Sequence, residues 1–491
     1  MENIQVILLI GIFLLMTILM FLRKIPALIA LPVMAFLISI IGGVSLEDTI
    51  KFVLGQGSLK LHSAYTIAMF GSMLSVILQK TGVAESFIKK GAELSGDSPW
   101  TIAVIMLILI ALLFTTIGGL GAVIMVATIV LPIMASVGIG PMTSVGIFLI
   151  GISMGGALNV GSWAVYIDVL GLTVEKIRPF ALIMFSITFI ASLVYITVQL
   201  FRDGQNLKLK KIIKNSTIFI GSIVTILVLY NYILSVNMKL VVDKVISNVG
   251  IVIGWIILGG VVLLFIIAII RIILKKNETE TEVHWITYFS PIIPLLLILI
   301  FSMDFIAAFI VGLIYVFIAT YKKGRLNLFV KSIFEGGGVV MPAVVLMFGI
   351  GMLLVAVMGP GVELEAYPNG WPVLNLLRPV VLAIVPNSPL FYVIIFTIAA
   401  PLALYRGPLN VWGMGYGIAA VFLASGMNPG AIMGLLLAVG QIQGISDPTN
   451  THNVWLANEM RVDVQKVLWN TISYSWALAL IGLIISALLF M

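Results

Sequence analysis

The side chains suited to chemistry gather near the end of the chain, where Gly440 to Trp455 reads GQIQGISDPTNTHNVW. An apolar helix-like run gives way there to Asp447, Pro448, Thr449, Asn450, Thr451, His452 and Asn453. Pro448 has no N–H and disfavours helix, so backbone groups around it lose their intrahelical partners. At bilayer depth such a break is tolerated only inside protein or along a polar cavity. Asp447 can carry a proton there, or hold Na+ beside carbonyl and amide oxygens. His452 is a second proton carrier by type, or a hydrogen-bonded packing residue. Thr449, Asn450, Thr451 and Asn453 add neutral donors and acceptors for hydroxyls or carboxylates.

A second irregular stretch, Gly155 to Trp163, reads GGALNVGSW. No acidic, basic or histidine side chain occurs from Pro99 to Ile167, which leaves Asn159, Ser162, nearby threonines and backbone to bind anything there. Two reversals accompany the breaks, one at Thr115-Thr116-Ile117-Gly118-Gly119-Leu120-Gly121 and one at Tyr405-Arg406-Gly407-Pro408-Leu409-Asn410. Glycine and proline let a chain turn at depth and leave N–H groups free to meet a ligand. The reversals read as re-entrant hairpin tips, or as tight turns between complete spans. Arg406 is the only charged residue between Pro379 and Ser446. An arginine at depth is costly unless paired or hydrated. It meets a substrate carboxylate through its planar fork, partners Asp447, or sits in an interfacial loop. Asp168 follows the first break and reads as structural, at the outer interface.

The elements that must position these residues are membrane helices. Of 491 residues 61% are hydrophobic and 10% charged, with a mean hydropathy of +1.21. A soluble domain carries about 25% charged residues, so the chain is an all-α polytopic membrane protein whose partner is the lipid bilayer. It holds about a dozen runs near the length a span needs. The net charge of +7 sits in short loops, where it sets orientation and implies no nucleic acid. Zero cysteines exclude disulfides and thiolate chemistry, and three histidines make a histidine metal site improbable. There is no P-loop or HExxH pattern. Gly151-Ile152-Ser153-Met154-Gly155 matches GxSxG, but inside an apolar span, so it reads as chance. The run Ile4 to Leu22 lacks a basic leader and a cleavage site, and reads as a retained helix.

Expected spans are 4–22, 25–42, 64–80, 141–166, 179–200, 215–236, 246–272, 285–302, 305–321, 332–358, 428–455 and 468–490, with short runs at 100–117, 119–138, 388–405 and 408–426. Six basic clusters fall on the cytoplasmic side: Arg23/Lys24, Lys80/Lys89/Lys90, Arg202 to Lys214, Arg271/Lys275/Lys276, Lys322/Lys323/Arg325 and Arg461/Lys466. They agree only if the short runs are re-entrant hairpins and both termini lie outside. The acidic loop NETETEVH at 277–284 reads as solvated. One ungapped offset sets Gly119 on Gly407, Pro141 on Pro429, Gly146 on Gly434, Asn159 on Asp447 and Ser162 on Asn450. The resulting domains are N-terminal scaffold helices (1–63), a first repeat (64–200, hairpin 100–138), central scaffold helices (201–331) and an inverted second repeat (332–490, hairpin 388–426). Glu335, Gly336-Gly337-Gly338 and Pro342 open the second repeat as close helix packing or as a hinge, packing being preferred.

Four passages carry a family resemblance. They are FGSMLSVILQKTGVAESFIKKGAEL, FTTIGGLGAVIMVATIVLPIM, KSIFEGGGVVMPAVVLMFGIG, and SDPTNTHNVWLANEM followed by VDVQKVLWNTISYSWALALIGLIISALLF. On these the chain resembles the ion transporter superfamily, and within it the gluconate permease, C4-dicarboxylate and citrate carrier group. The last passage is similar to gluconate permeases, with its polar residues in a different order. The resemblance implies an elevator: a scaffold domain with a homodimer interface, and a transport domain of two hairpins and two broken helices. By position it puts substrate contacts at Thr115, Thr116, Gly118, Gly119, Asn159, Ser162, Arg406, Gly407, Asn410, Asp447, Thr449, Asn450 and Thr451. It also implies coupling to H+ or Na+, with Asp447 and His452 as coupling residues, Na+ near Asn159, Asp447 and Asn450, and no other cofactor.

The expectation is therefore a carrier of a small organic anion, such as a hydroxy- or dicarboxylate, in the cytoplasmic membrane. A Na+/H+ antiporter of the same superfamily is the near alternative. A membrane-embedded enzyme acting on lipid-linked substrates is the remote one, resting on Glu363, Glu365 and Arg378 in the loop 359–378.

Overall fold

The computed structural model describes residues 2–22, 24–205, 236–275, 283–362, 364–386, 388–407, 409–411 and 415–491. The span expected at 215–236 lies almost wholly outside these residues, as do Arg23, Lys276, Glu363, most of the 202–214 basic run and most of the acidic loop.

Among the described residues the chain is helical throughout, with no strand. The first repeat's region and what precedes it give α1 (Glu2–Phe21), α2 (Ala27–Ile41), α3 (Leu46–Lys80), α4 (Val83–Leu94), α5 (Pro99–Phe114), α6 (Gly119–Ser136), α7 (Pro141–Ala157), α8 (Val160–Leu170) and α9 (Val174–Arg202). The centre adds α10 (Val236–Ile273), α11 (Ile293–Phe301) and α12 (Phe305–Ala319). The remainder is α13 (Leu326–Met358), α14 (Pro372–Ile384), α15 (Pro389–Ala399), α16 (Tyr416–Ala424), α17 (Pro429–Ser446), α18 (Thr451–Glu459) and α19 (Val464–Phe490).

Seven of the described helices are long and apolar enough to cross a membrane, and up to eight if the bent pair α7 and α8 counts as one span. Shorter apolar helices of 10–17 residues account for other runs, α5 and α12 among them. Three features differ from the sequence expectation. The span expected at 64–80 begins at Leu46 and includes a π-helical segment, Thr49–Gln56, a rare geometry that periodicity does not announce. The run 285–302 divides into a 3-10 turn, Trp285–Phe289, and the short α11. The supposed loop 359–378 includes the start of α14.

The glycine run does what close packing requires. α13 lies against α3, and a methyl at Gly336 would stand 2.5 Å from Met73 Cα, while one at Gly351 would stand 2.3 Å from the Gly57 carbonyl oxygen. Gly57 facing Gly351 and Met73 facing Gly336 make the two helices antiparallel along most of their length. Lys80 and Glu335 close one end of the pair with an ion pair. Both breaks follow a different pair, α7 and α17, which pack against each other and are flanked by α9 and α19.

Candidate functional site

The first break falls where expected. α7 stops at Ala157, α8 starts at Val160, and the two are bent by 46°. Asn159 spans the gap in two directions. Its Oδ1 accepts from Ser162 N at 3.3 Å, capping α8, and its Nδ2 donates to the Phe114 carbonyl at 3.0 Å, at the end of α5. Val160 N donates to the neighbouring Thr115 carbonyl at 3.4 Å, and Trp163 Nε1 donates to the Ala157 carbonyl at 2.9 Å. The tip of the first hairpin is thereby tied to the broken helix by its last carbonyls.

The hydroxyls of that tip are committed locally. Thr115 Oγ1 donates to Leu112 O at 2.7 Å and Thr116 Oγ1 to Leu113 O at 3.3 Å, satisfying the end of α5. Gly118 and Gly119 are exposed, and Gly119 holds a left-handed φ of 83° that favours glycine.

The second break runs from Asp447 to Asn450 between α17 and α18. Asp447 is fully buried, at 0% exposure, and four donors converge on its carboxylate. Oδ1 accepts from Thr449 N at 2.9 Å, Thr449 Oγ1 at 2.7 Å and Tyr405 N at 3.0 Å, and Oδ2 accepts from Asn410 Nδ2 at 3.4 Å. Tyr405 and Asn410 belong to the second reversal, so this break also holds the tip of its own hairpin. Val411 N adds a bond to Gln443 Oε1 at 2.6 Å. The tip is tightly folded: a methyl at Gly407 would stand 2.1 Å from Leu402 O, and Tyr405 adopts a left-handed φ of 54° although it carries a side chain. That conformation costs about 1–2 kcal/mol, which the bonds to Asp447 and from Tyr405 Oη to Gln465 Oε1 (2.9 Å) offset.

The remaining polar residues of the stretch close the cut end of α17. Asn450 Nδ2 donates to Gln443 O at 2.6 Å and Asn453 Nδ2 to Ile445 O at 3.2 Å, and the His452 ring lies beside the Gly444 carbonyl. Two carbonyls at the end of α17 thus receive side-chain amides, one from the break and one from α18. His452 Nε2 and Asn453 Oδ1 are left buried without a partner. Thr451 is exposed, Ser162 is half-buried, and the Arg406 side chain lies outside the described residues. Asp168 is structural in the manner expected, its Oδ2 accepting Ala64 N at 3.1 Å from α3.

Sequence reasoning missed the polar residues that join α7 and α9 to α17. Ser153 Oγ donates to Gln441 Oε1 at 2.8 Å, and Thr188 Oγ1 reaches the same oxygen at 3.5 Å. Ser446, Thr471 and Ser475 form a buried hydroxyl cluster with contacts of 2.8 and 2.9 Å beside Asp447. Two glutamines in an apolar run, and hydroxyls one helical turn apart at 471 and 475, were the available signals. Ser153 and Gln441 each stand about 9 Å along the helix before their respective breaks. No hydrogen bond among the described residues joins Asn159 to Asp447 or Asn450, and no cluster of three or more histidine, aspartate or glutamate side chains among them could hold a metal. Na+ at the second break would draw on the Asp447 carboxylate and the Thr449 hydroxyl.

No protein-family model matches this chain, and no curated protein matches it in sequence. It is similar to the solved structure of the Alcanivorax borkumensis YdaH transporter, described as having an unusual topology. The TM-score is 0.50 and the identity 13%, over 90% of this chain and 86% of that one. The likeness is one of fold, and it runs to that transporter and not to the gluconate, C4-dicarboxylate and citrate group that the sequence passages resemble.

Proposed function

We propose that this chain is a secondary active transporter of a small organic anion, coupled to H+ or Na+, with Asp447 as the coupling residue. The observation that carries this reading is that each interrupted helix holds the tip of its own hairpin: Asn159 holds Phe114, and Asp447 holds Tyr405 and Asn410. Interrupted helices with polar groups at the break are the sites that secondary transporters build at the bilayer midplane. The fold it shares with the YdaH transporter supports the transporter class, and Ser153 in mid-helix removes the GxSxG elbow that a hydrolase would need.

Two inverted halves, 64–200 and 332–490, are part of this proposal. It is supported by the bond between Ser153 and Gln441 and by the shared use of glycine: Gly146 admits Tyr195 of α9 against α7, and Gly434 admits Ser486 of α19 against α17. In the proposed elevator the hairpins, broken helices, α9 and α19 move, and α3 with α13 link them to a scaffold that carries a homodimer surface. The substrate is a hydroxy- or dicarboxylate neutralised by Arg406 and by tip amides, in a cytoplasmic membrane with both termini outside.

One observation favours a second reading, a Na+/H+ antiporter. The donor groups of Thr115, Thr116, Asn410, Thr449 and Asn450 are all engaged within the protein, while the carboxylate of Asp447 remains the sole acidic group of its break. Proteoliposomes separate the two. Ion flux that requires an added organic acid supports the carrier, and Na+-driven H+ flux without any acid replaces it with the antiporter. A thermal-shift screen of organic acids with and without Na+ names the ligand class, since a ligand stabilises by mass action.

A further inference from the structure

Three basic residues at the end of α3 and on α4 are neutralised within the protein: Lys80 pairs with Glu335, Lys89 with Glu85 at 2.7 Å and Lys90 with Glu93 at 2.7 Å. The turn between α12 and α13 is different. From Phe305 to Phe334 the chain has no acidic residue, while Lys322, Lys323, Arg325 and Lys331 supply four positive charges. Glu335, the next acid along the chain, is already held by Lys80. Arg325 is half-buried, and its guanidinium makes no hydrogen bond or ion pair with the described residues. A charge taken partly out of water without a partner is costly, so this one calls for an anion from outside the chain.

Beside that charge the surface is apolar. Arg325 lines a small recess with Phe317, Tyr321 and Phe329, and the rings of Phe317 and Phe329 meet there with centroids 4.7 Å apart. Ile310, Ile314, Phe317 and Tyr321 follow one another at helical spacing along α12 and into the turn, and all but Phe317 are exposed. Leu326, Val330 and Phe334 make a second exposed row on α13, four residues apart. In a bilayer such rows are covered by acyl chains, and a tyrosine at their end sits at headgroup level. Two apolar rows on helices joined by one short turn therefore end at one cluster of positive charge.

We propose that the α12–α13 turn is a binding site for an anionic phospholipid, with the phosphate at Arg325 and Lys323 and the acyl chains along the Ile310–Ile314 and Val330–Phe334 rows. A molecule with a negative charge joined to long apolar chains matches both parts of this surface. A free anion matches only the turn, and a zwitterionic lipid gains little from its charges. The guanidinium of Arg325 is suited to the phosphate because its fork can meet two oxygens at once. The site lies apart from both helix breaks and does not depend on what the chain carries.

The full chain, purified in detergent, is titrated with dioleoylphosphatidylglycerol or dioleoylphosphatidylcholine, and bound lipid is counted by native mass spectrometry. The native chain binds the phosphatidylglycerol more tightly. Arg325→Gln weakens that binding about fivefold, the worth of one basic residue at an anionic lipid surface, and leaves phosphatidylcholine binding unchanged. Arg325→Lys, which keeps the charge, restores most of the loss. Lys323→Gln, at an exposed position, weakens binding in the same direction and decides the matter if Arg325→Gln fails to fold. Lys466→Gln removes the same charge from an exposed position on α19 and has no effect. Glycerol 3-phosphate, a headgroup without chains, does not displace the lipid at equal concentration. Equal binding of the two lipids, an equal loss in Lys466→Gln, no loss in Lys323→Gln, or displacement by glycerol 3-phosphate overturns the proposal.

Discussion

Ser153 Oγ donates to Gln441 Oε1 at 2.8 Å, and the two residues are separated by 288 positions, the same separation that sets Asn159 on Asp447. That contact is what the proposed inverted repeat calls for, since residues on its axis would face their own counterparts, and α7 and α17 meet at such a pair. The contact is buried, with Gln441 at 3% exposure, so its partners cannot be replaced by water. Gln441→Leu leaves the buried Ser153 hydroxyl without its acceptor, while Thr188 keeps its 2.7 Å bond to the Met184 carbonyl, and lowers stability by about 2 kcal/mol, read as a fall in Tm of the detergent-solubilised protein. Ser153→Ala, which removes one donor and leaves the other, costs about half as much. Equal and negligible effects would mean the crossing is held by apolar packing alone.

The carboxylate of the second break serves the tip and, in the proposed function, the coupling ion. Asp447→Asn keeps the shape and removes the charge. It abolishes accumulation of substrate against a gradient and leaves counterflow exchange measurable in proteoliposomes. Undiminished accumulation takes Asp447 out of the coupling role.

At the first break the donor matters more than the acceptor. Asn159→Asp replaces the amide that serves Phe114 O with an acceptor-only group facing a carbonyl. A loss of about 1–3 kcal/mol follows, visible as a lowered Tm at neutral pH, whereas Ser162→Ala, whose contribution here is its backbone N–H, changes stability little.

The three adjacent glycines of α13 are not equivalent. A methyl at Gly336 would stand 2.5 Å from Met73 Cα, at Gly337 3.9 Å from a flexible methionine tip, and at Gly338 it would meet nothing within 4 Å. Gly336→Ala forces α13 away from α3 and costs about 1–3 kcal/mol. Gly338→Ala gains up to about 1 kcal/mol from helix propensity. Thermal denaturation of the two variants under one detergent condition decides it, and a stabilised Gly336→Ala would show that the two helices are not packed this closely.

The surface pair Lys80 and Glu335 joins the same helices where α3 ends, and both side chains are about a third to a half exposed. Lys80→Met therefore changes the Tm far less than Gly336→Ala, since exposed ion pairs contribute about 0–1 kcal/mol.

The sequence by itself determined the class of the molecule and the positions of its irregularities. Composition required a membrane bundle, Pro448 with its polar neighbours called for a helix to break near Asp447, and the glycines around Asn159 allowed one to break there. These followed because bilayer burial and helix breaking are local properties, legible residue by residue. The tertiary structure alone decided what the polar side chains do. Asn450 and Asn453 are of types that could meet a solute, yet they serve the cut end of α17, where the Gln443 and Ile445 carbonyls receive them. Gln441 had no assigned role and Ser153 read only as the serine of a chance GxSxG match, until two helices far apart in the chain crossed at them. Which partner satisfies a buried polar group depends on what the fold brings within about 3 Å of it, and periodicity and composition do not encode that distance.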